Sequence, residues 1–265
     1  MKQHDKQINP MPAVWSQLKA LHLGGMGEFL TQRNKEAVEG QISYLEFLSM
    51  LLEDELLRRQ HNRFSLRLKQ SGFRGDKTLE RFDFSFNPKI NQALIKDLAQ
   101  GQFMAEHAPI LIIGPCGTGK SHLAQALGFC MVQRGMDVLF SSQSKITQDL
   151  EAARATGSYN KVLKQLIQVK LLIIDDFALK PLKPQEEEDL HDIIAARYEE
   201  RSTIMTSNLD FSEWTDAFQN KMLAAATLDR LRHNAYEILL DGKSYRSLKK
   251  STQSTEEGDE NGEAI

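Results

Sequence analysis

Residues 110–128, ILIIGPCGTGKSHLAQALG, limit the possible folds more than any other part of the chain. ILII is a short aliphatic run that stops at glycine. It reads as a strand buried on both faces, as in parallel sheets. The helical pattern HLAQALG follows the glycine-rich loop. That loop, Gly114-Pro115-Cys116-Gly117-Thr118-Gly119-Lys120-Ser121, matches G-x-x-x-x-G-K-[ST] without a gap. Glycines let backbone N–H groups turn inward and approach phosphate oxygens closely. A helix starting near Lys120 points the positive end of its dipole at the same place. Lys120 then reaches the β- and γ-phosphates, and the Ser121 hydroxyl serves Mg²⁺. His122 is grouped with the loop among the nucleotide-contacting positions. A chance glycine-rich turn would not need a strand before it and a helix after it.

A second apolar run, KLLIIDDFALKPL, begins at Lys170 and ends in paired carboxylates. Asp175 is assigned to the metal and Asp176 to polarising the attacking water. The run STIMTS (202–207) leads to Asn208, just past a strand end, where ligands gather in doubly wound sheets. An amide there can orient a water beside a γ-phosphate.

With VLF (138–140), these runs make four buried strands separated by helical patterns. The expected fold is α/β, a three-layer parallel sheet with helices on both faces. Asn87-Pro88 reads as a helix cap followed by proline at the first helical position. Before residue 75 the pattern is purely helical. Residues 1–12 read as a loose polar tail. Residues 13–30 read as a helix interrupted at Gly24-Gly25. Ser43 with Glu46 forms a capping-box pattern that opens a helix running to about residue 70. Composition thus predicts a small helical N-terminal domain (1–74), a nucleotide-binding domain (75–250) and a disordered acidic tail (251–265) with five acidic and no basic residues.

The formal net charge is −3, so any affinity for polyanions must come from local clusters. One such cluster is present. Residues 58–81 hold eight Lys/Arg against two acidic residues, a local charge of +6. Its candidate DNA-contacting residues are Arg58, Arg59, Arg63, Arg67, Lys69 and Arg74, with Arg59, Arg63 and Arg67 on one helix face. A second scatter is Lys145, Arg154, Lys161 and Lys164. No zinc spacing and no helix-turn-helix signature accompanies them, so phosphate contact without base readout is the expectation. The two cysteines, Cys116 and Cys130, are too few for a disulfide framework. With no secretory signal and no long apolar run, the expected location is the cytoplasm, with no membrane segment.

Taken in order, TLERFDFSFNP (78–88), the phosphate loop, LLIIDDF (171–177), RYEERSTIMTSNLDFSEW (197–214) and LDRLRHNAYEILLDGKSYR (228–246) resemble the AAA+ ATPases of the initiator and helicase-loader group, which includes the DnaC-like loaders. Within that group the chain resembles the IstB-like transposition helpers. The resemblance implies ATP and Mg²⁺ as cofactors. It puts Phe82, Phe84 and Phe86 on the adenine side of the nucleotide and makes Asn208 the sensor-1 residue. Arg230 becomes the arginine finger, acting on a neighbouring subunit's ATP, with Arg232 as a second candidate. Arg246 becomes the sensor-2 arginine of a short C-terminal lid. The chain departs from the common pattern at Asp176, where many relatives carry Glu, one methylene longer.

The resemblance also implies a self-oligomer joined through ATP, assembly on duplex DNA with little sequence preference, and a partner transposase of the DDE type. Two other readings share the same phosphate loop. A helicase loader would grip a replicative helicase and prefer single strands. A small-molecule kinase would need an acceptor pocket and no arginine from a neighbour.

Overall fold

The computed structural model describes residues 11–242. Arg246, the lid expected around it and the acidic segment 251–265 lie outside the described residues. The chain divides into two compact units between Leu66 and Arg67, earlier than the change in composition at residue 75. Residues 67–74 are basic like the helix before them, yet their contacts belong to the second unit. Arg67 Nε donates to Asp137 Oδ1 at 3.0 Å, Phe140 N to Ser71 O at 2.7 Å, and Arg74 N to Gln125 Oε1 at 2.7 Å.

In the first unit, α1 (Met11–Ala20), α2 (Gly24–Glu39) and most of α3 (Tyr44–Gln70) enclose a small core of Met26, Leu30 and Leu51. Met11 and Pro12 open α1 instead of belonging to a tail. The first helical stretch breaks at His22, whose φ is 57°, and Gly24-Gly25 start α2. Gly25 is needed there for close approach, because a Cβ would lie 2.7 Å from Glu55 Cα. Its N–H donates to Glu55 Oε2 at 2.6 Å. Arg33 grips Asp54 with two bonds of 2.8 Å, which hold the Asp54 carboxyl below the usual carboxylate range. Ser43 accepts from Glu46 N at 3.3 Å and starts α3 where the capping pattern put it.

In the second unit a 3₁₀ turn (Phe84–Phe86), α4 (Gln92–Gln100) and the short α5 (Gln102–Ala105) precede the sheet. Asn91 caps α4 by accepting from Leu94 N at 3.1 Å. The expected cap at Asn87 is therefore corrected. Both asparagines satisfy the local rule, and tertiary contacts take Asn87 elsewhere. The sheet follows as β1 (Ile110–Ile113), α6 (Lys120–Gln133), β2 (Val138–Ser142), α7 (Gln143–Ala155), α8 (Tyr159–Gln168), β3 (Leu171–Phe177), α9 (Pro184–Arg197), β4 (Ser202–Ser207), a second 3₁₀ turn (Phe211–Ala217), α10 (Lys221–Arg232) and β5 (Tyr236–Leu239). Its order is β2-β3-β4-β1-β5, all parallel.

The four expected strands are present, and β5 is a fifth that the sequence reading missed. Alternation along the strands separates the layers. Leu111, Ile113, Leu172, Ile174 and Met205 join α7 to α10 in one core cluster. The opposite face is covered by α6, where Ile173 Cδ1 approaches Gly128. The expected three-layer α/β arrangement is therefore observed.

Arg197, 1% exposed at the end of α9, locks the far end of this sheet. Its guanidinium donates to Leu166 O (2.9 Å), Ile167 O (3.0 Å), Val169 O (2.8 Å), Ser202 O (2.5 Å) and Thr203 Oγ1 (3.0 Å). It thereby closes the C-terminal end of α8 onto the start of β4. Burial, with Arg201 nearby, presses its pKa down to about 9, so it is charged at neutral pH. Arg197→Met leaves several carbonyls without donors, each worth about 1–3 kcal/mol. Urea unfolding should show a loss on the order of 3 kcal/mol or more. Arg197→Lys should recover little of it, since one ammonium cannot reproduce the planar fork.

Candidate nucleotide site

Parallel pairing brings the functional groups to one end of the sheet. β1 lies between β4 and β5. Ile113 is paired with Ser207, and Gly114 N donates to Ser207 O at 3.2 Å. The phosphate loop therefore leaves β1 beside Asn208, and β3, on the far side of β4, carries Asp175 and Asp176 just before its last residue, Phe177. Ligands bind outside the carboxyl ends of such strands.

The loop has the backbone that its glycines permit. Gly119 stands at φ 99°, just before the first residue of α6. A Cβ there would also meet the Phe82 ring at 3.0 Å. Lys120, 5% exposed, donates to Pro115 O at 2.8 Å, and Thr118 Oγ1 donates to the same carbonyl at 2.9 Å. The lysine ammonium is thus held across the loop's own concavity. Ser121 is half-buried in the first turn of α6, and Cys116 is exposed.

Residues 76–90 pack against the loop, and Phe82 and Phe86 line a cleft with it. Phe82 is buried and meets Phe84 edge-on at 4.9 Å and the His122 ring at 5.4 Å. His122 Nε2 bonds Thr78 O at 2.9 Å, which requires the N–H on that nitrogen. Burial pushes its pKa below the ordinary histidine value. His122 and Phe82 therefore brace the loop. Phe86 and Ser121 line an open cleft of about 460 Å³ with Gly117, Gly119, His122 and Gln125. Asn87, 2% exposed, donates from Nδ2 to Thr118 O at 3.0 Å, while its buried Oδ1 has no partner among the described residues. This strut was hidden from the sequence reading because Asn-Pro also matches a helix start.

The acidic pair sits on an irregular stretch of β3. Ile174 faces Met205 and Phe177 faces Ser207, so Asp175 and Asp176 together oppose the single residue Thr206. This is a β-bulge, with Asp176 at φ 55°. Thr206 Oγ1 donates to Asp175 Oδ1 at 2.5 Å and accepts from Asp176 N at 3.1 Å. The sequence signal for Thr206 was a polar residue inside the apolar run TIM-TS, too common to interpret alone. Asp175 is 6% exposed, while Asp176 and Asn208 are half-buried. Among the described residues no group of three or more His, Cys, Asp or Glu can hold a metal ion. A Mg²⁺ that takes one carboxylate, one hydroxyl and the phosphates of its nucleotide would fit this donor set, and Asp175 and Ser121 would be the protein's share.

The two candidate finger arginines lie elsewhere. Arg230 and Arg232 occupy the last turn of α10. Arg230 donates to Ala226 O at 2.8 Å and lines a cleft with Pro109, Arg197, Thr203 and His233, at the amino ends of β1 and β4. The length of β1, roughly 13 Å at about 3.3 Å per residue, separates that cleft from the phosphate loop of the same chain. Arg232 is exposed, pairs with Glu237 at 3.3 Å and stands 5.1 Å over the Phe211 ring.

The candidate DNA residues divide by their contacts. Arg154, a candidate DNA-contacting residue, is half-buried. It pairs with the buried Asp189 carboxylate, which also accepts from Tyr159 OH, and it stacks 4.5 Å over the Tyr159 ring. Arg59 pairs with Glu55 (2.6 Å), Arg67 with Asp137 (3.0 Å), Lys145 with Asp149 (2.6 Å) and Arg58 with Glu28 (3.7 Å). Arg63, Lys69, Arg74, Lys161 and Lys164 are exposed. Among the described residues no helix is long and apolar enough to cross a membrane.

Comparison with known proteins agrees with this geometry. The chain is 35% identical over 245 residues to an insertion-sequence ATP-binding protein of Mycobacterium tuberculosis, covering 92% of this chain and 98% of the relative. It is 34% identical over 243 residues to the IS21 insertion-sequence ATP-binding protein of Pseudomonas aeruginosa, covering 92% and 91%. Among solved structures it is similar to AMPPCP-bound DnaA from Aquifex aeolicus, with a TM-score of 0.56 and 24% identity, over 72% of this chain and 58% of that chain. It is also similar to a DnaC helicase loader, with a TM-score of 0.50 and 23% identity, over 58% and 89%. At those identities the solved structures speak to fold, and the fold is that of the AAA+ P-loop proteins. The family model for IstB-like ATP binding proteins matches residues 16–254, and the chain belongs to that family.

Proposed function

We propose that this IstB-like AAA+ ATPase assembles with copies of itself on duplex DNA and serves a transposase, ATP hydrolysis timing the assembly. The observation that carries the assembly is the position of Arg230. It lies at the opposite end of the sheet from its own phosphate loop, so it can act on a γ-phosphate only across a subunit boundary. The insertion-sequence relatives support the transposase partner. The exposed cations Lys161 and Lys164 on α8, inserted between β2 and β3, with Arg63 and Lys69 on α3, support phosphate contact.

In this reading the phosphate loop and Lys120 bind the triphosphate. Mg²⁺, when bound, adds charge neutralisation at the phosphates. Asp175 and Ser121 are its protein ligands. Asp176 and Asn208 orient the attacking water, and Arg230 from the neighbour offsets charge developing on the γ-phosphoryl group. Arg246 reports the nucleotide state to the lid.

Lys120→Ala should lose nucleotide binding, measured with a fluorescent ATP analogue. Asp176→Asn should keep binding but stop turnover and hold the assembled form on gel filtration. Normal turnover by Asp176→Asn would remove it from the mechanism.

Arg230→Ala should bind ATP normally and lose the hydrolysis that depends on assembly. Mixing it with Lys120→Ala should restore part of that activity, because one interface then combines an intact loop with an intact arginine. Absence of rescue argues against action in trans, and rescue blocked only by Arg232→Ala moves the role to Arg232.

Binding to a labelled duplex and to a single strand of equal length, with ATP, ADP or no nucleotide at two salt concentrations, tests the DNA partner. Tight, ATP-dependent, salt-sensitive duplex binding is expected. Preference for single strands would favour a helicase loader, and no binding to either would remove DNA from the proposal.

A further inference from the structure

We propose that Thr206 is the positioning residue of the acidic pair, and that its hydroxyl sets how strongly the site holds Mg²⁺. The inference rests on the ATPase reading above, and it concerns a residue to which that reading gives no role. Thr206 is fully buried at the middle of the bulged pairing between β3 and β4. A threonine hydroxyl has one proton to donate and lone pairs to accept with. The backbone N–H of Asp176 can only donate, so at 3.1 Å it occupies a lone pair. The hydroxyl proton is therefore left for Asp175 Oδ1, 2.5 Å away. Chemistry alone thus fixes the rotor, with no freedom for the opposite polarity.

Two consequences follow for the acidic pair. Asp175 has one oxygen tied down, which restricts rotation of the carboxylate that would serve Mg²⁺. Asp176 has its amide tied down in a left-handed conformation that non-glycine residues seldom adopt. In a regular strand, consecutive side chains alternate between faces. The bulge breaks that alternation at Asp175-Asp176, and the Thr206 hydroxyl bonds to both residues at the break. Asn208 follows two residues later, so one short segment of β4 carries both the brace for the acidic pair and the amide beside it. Hydrogen-bond partners behind a metal ligand characteristically change metal affinity or activity by about 10–100-fold when removed.

The test uses the full chain with Thr206→Val, which keeps shape and removes the hydroxyl, and Thr206→Ser, which keeps the hydroxyl. A fluorescent ATP analogue is titrated in EDTA, and Mg²⁺ is then titrated against both analogue binding and turnover. Thr206→Val is expected to bind the analogue in EDTA within about two-fold of wild type, since Lys120 and the loop are untouched. Its half-saturating Mg²⁺ should rise about 10-fold or more, and Thr206→Ser should return it close to wild type. A Thr206→Val protein with wild-type Mg²⁺ dependence overturns the proposal. Equal shifts in Thr206→Val and Thr206→Ser also overturn it, because the role would then be one of packing. If Thr206→Val does not fold, Thr206→Cys replaces it, with near-serine size and only a weak donor. A shift in Thr206→Cys but not in Thr206→Ser supports the proposal, and any other pairing overturns it. A wild-type protein whose binding and turnover ignore Mg²⁺ overturns the metal assignment itself, which the wild-type curve shows before any variant is compared.

Discussion

The parallel pairing of β1 between β4 and β5 is the constraint on which the site depends. Ile110 to Ile113 are buried on both faces and bonded on both edges. A strand so enclosed can change direction only after its last residue, and the phosphate loop begins at the next one. Because β3 and β4 run the same way, their ends arrive at the same level. Asp175, Asp176 and Asn208 reach the loop for that reason alone. The same parallelism sends α10 back to the other end of the sheet, and Arg230 with it. One topological choice thus gathers the candidate nucleotide-site groups at one end of the sheet and sends Arg230 to the other.

Part of the chain's positive-φ backbone lies at that meeting point and is held there by named contacts. Gly119, Asp176 and Ala178 all adopt positive φ. Gly119 does so without a side chain, and Phe82 fills the space beside it. Asp176 is tied by Thr206. Ala178 N donates to the buried Gln143 Oε1 at 2.7 Å, which links the exit of β3 to the first residue of α7. Each hydrogen bond is worth about 1 kcal/mol net, comparable with the cost of the conformation it holds. Strained residues of this kind persist where their surroundings over-determine them, commonly at functional sites.

Much of this was legible in the residues themselves. The runs ILII and STIMTS become strands with the bounds read from sequence, since a short aliphatic run between breakers has few other ways to bury itself. Ser43 opens α3 because its cap is local. The readings that failed turned on partners distant in sequence. Asn87 and Asn91 both fit a cap, and the carbonyl of Thr118 decided between them. The pairing of Arg154, likewise, rests on Asp189, 35 residues away, whose buried carboxylate no local pattern shows. Strand β5 was missed because its burial is irregular and its partner is a strand more than a hundred residues earlier.

The sequence by itself determined the phosphate-loop motif, the order of the first four strands along the chain and the presence of two carboxylates near a strand end. These follow from backbone freedom, apolar periodicity and side-chain type, which act over a few residues. Only the tertiary structure decided which hydroxyl bonds the acidic pair, which of the described basic residues are paired and on which end of the sheet Arg230 lies. Those depend on strand register and on parallel crossovers. A hydrogen bond forms or fails over less than an ångström, and no local pattern specifies a distance between residues thirty or more positions apart.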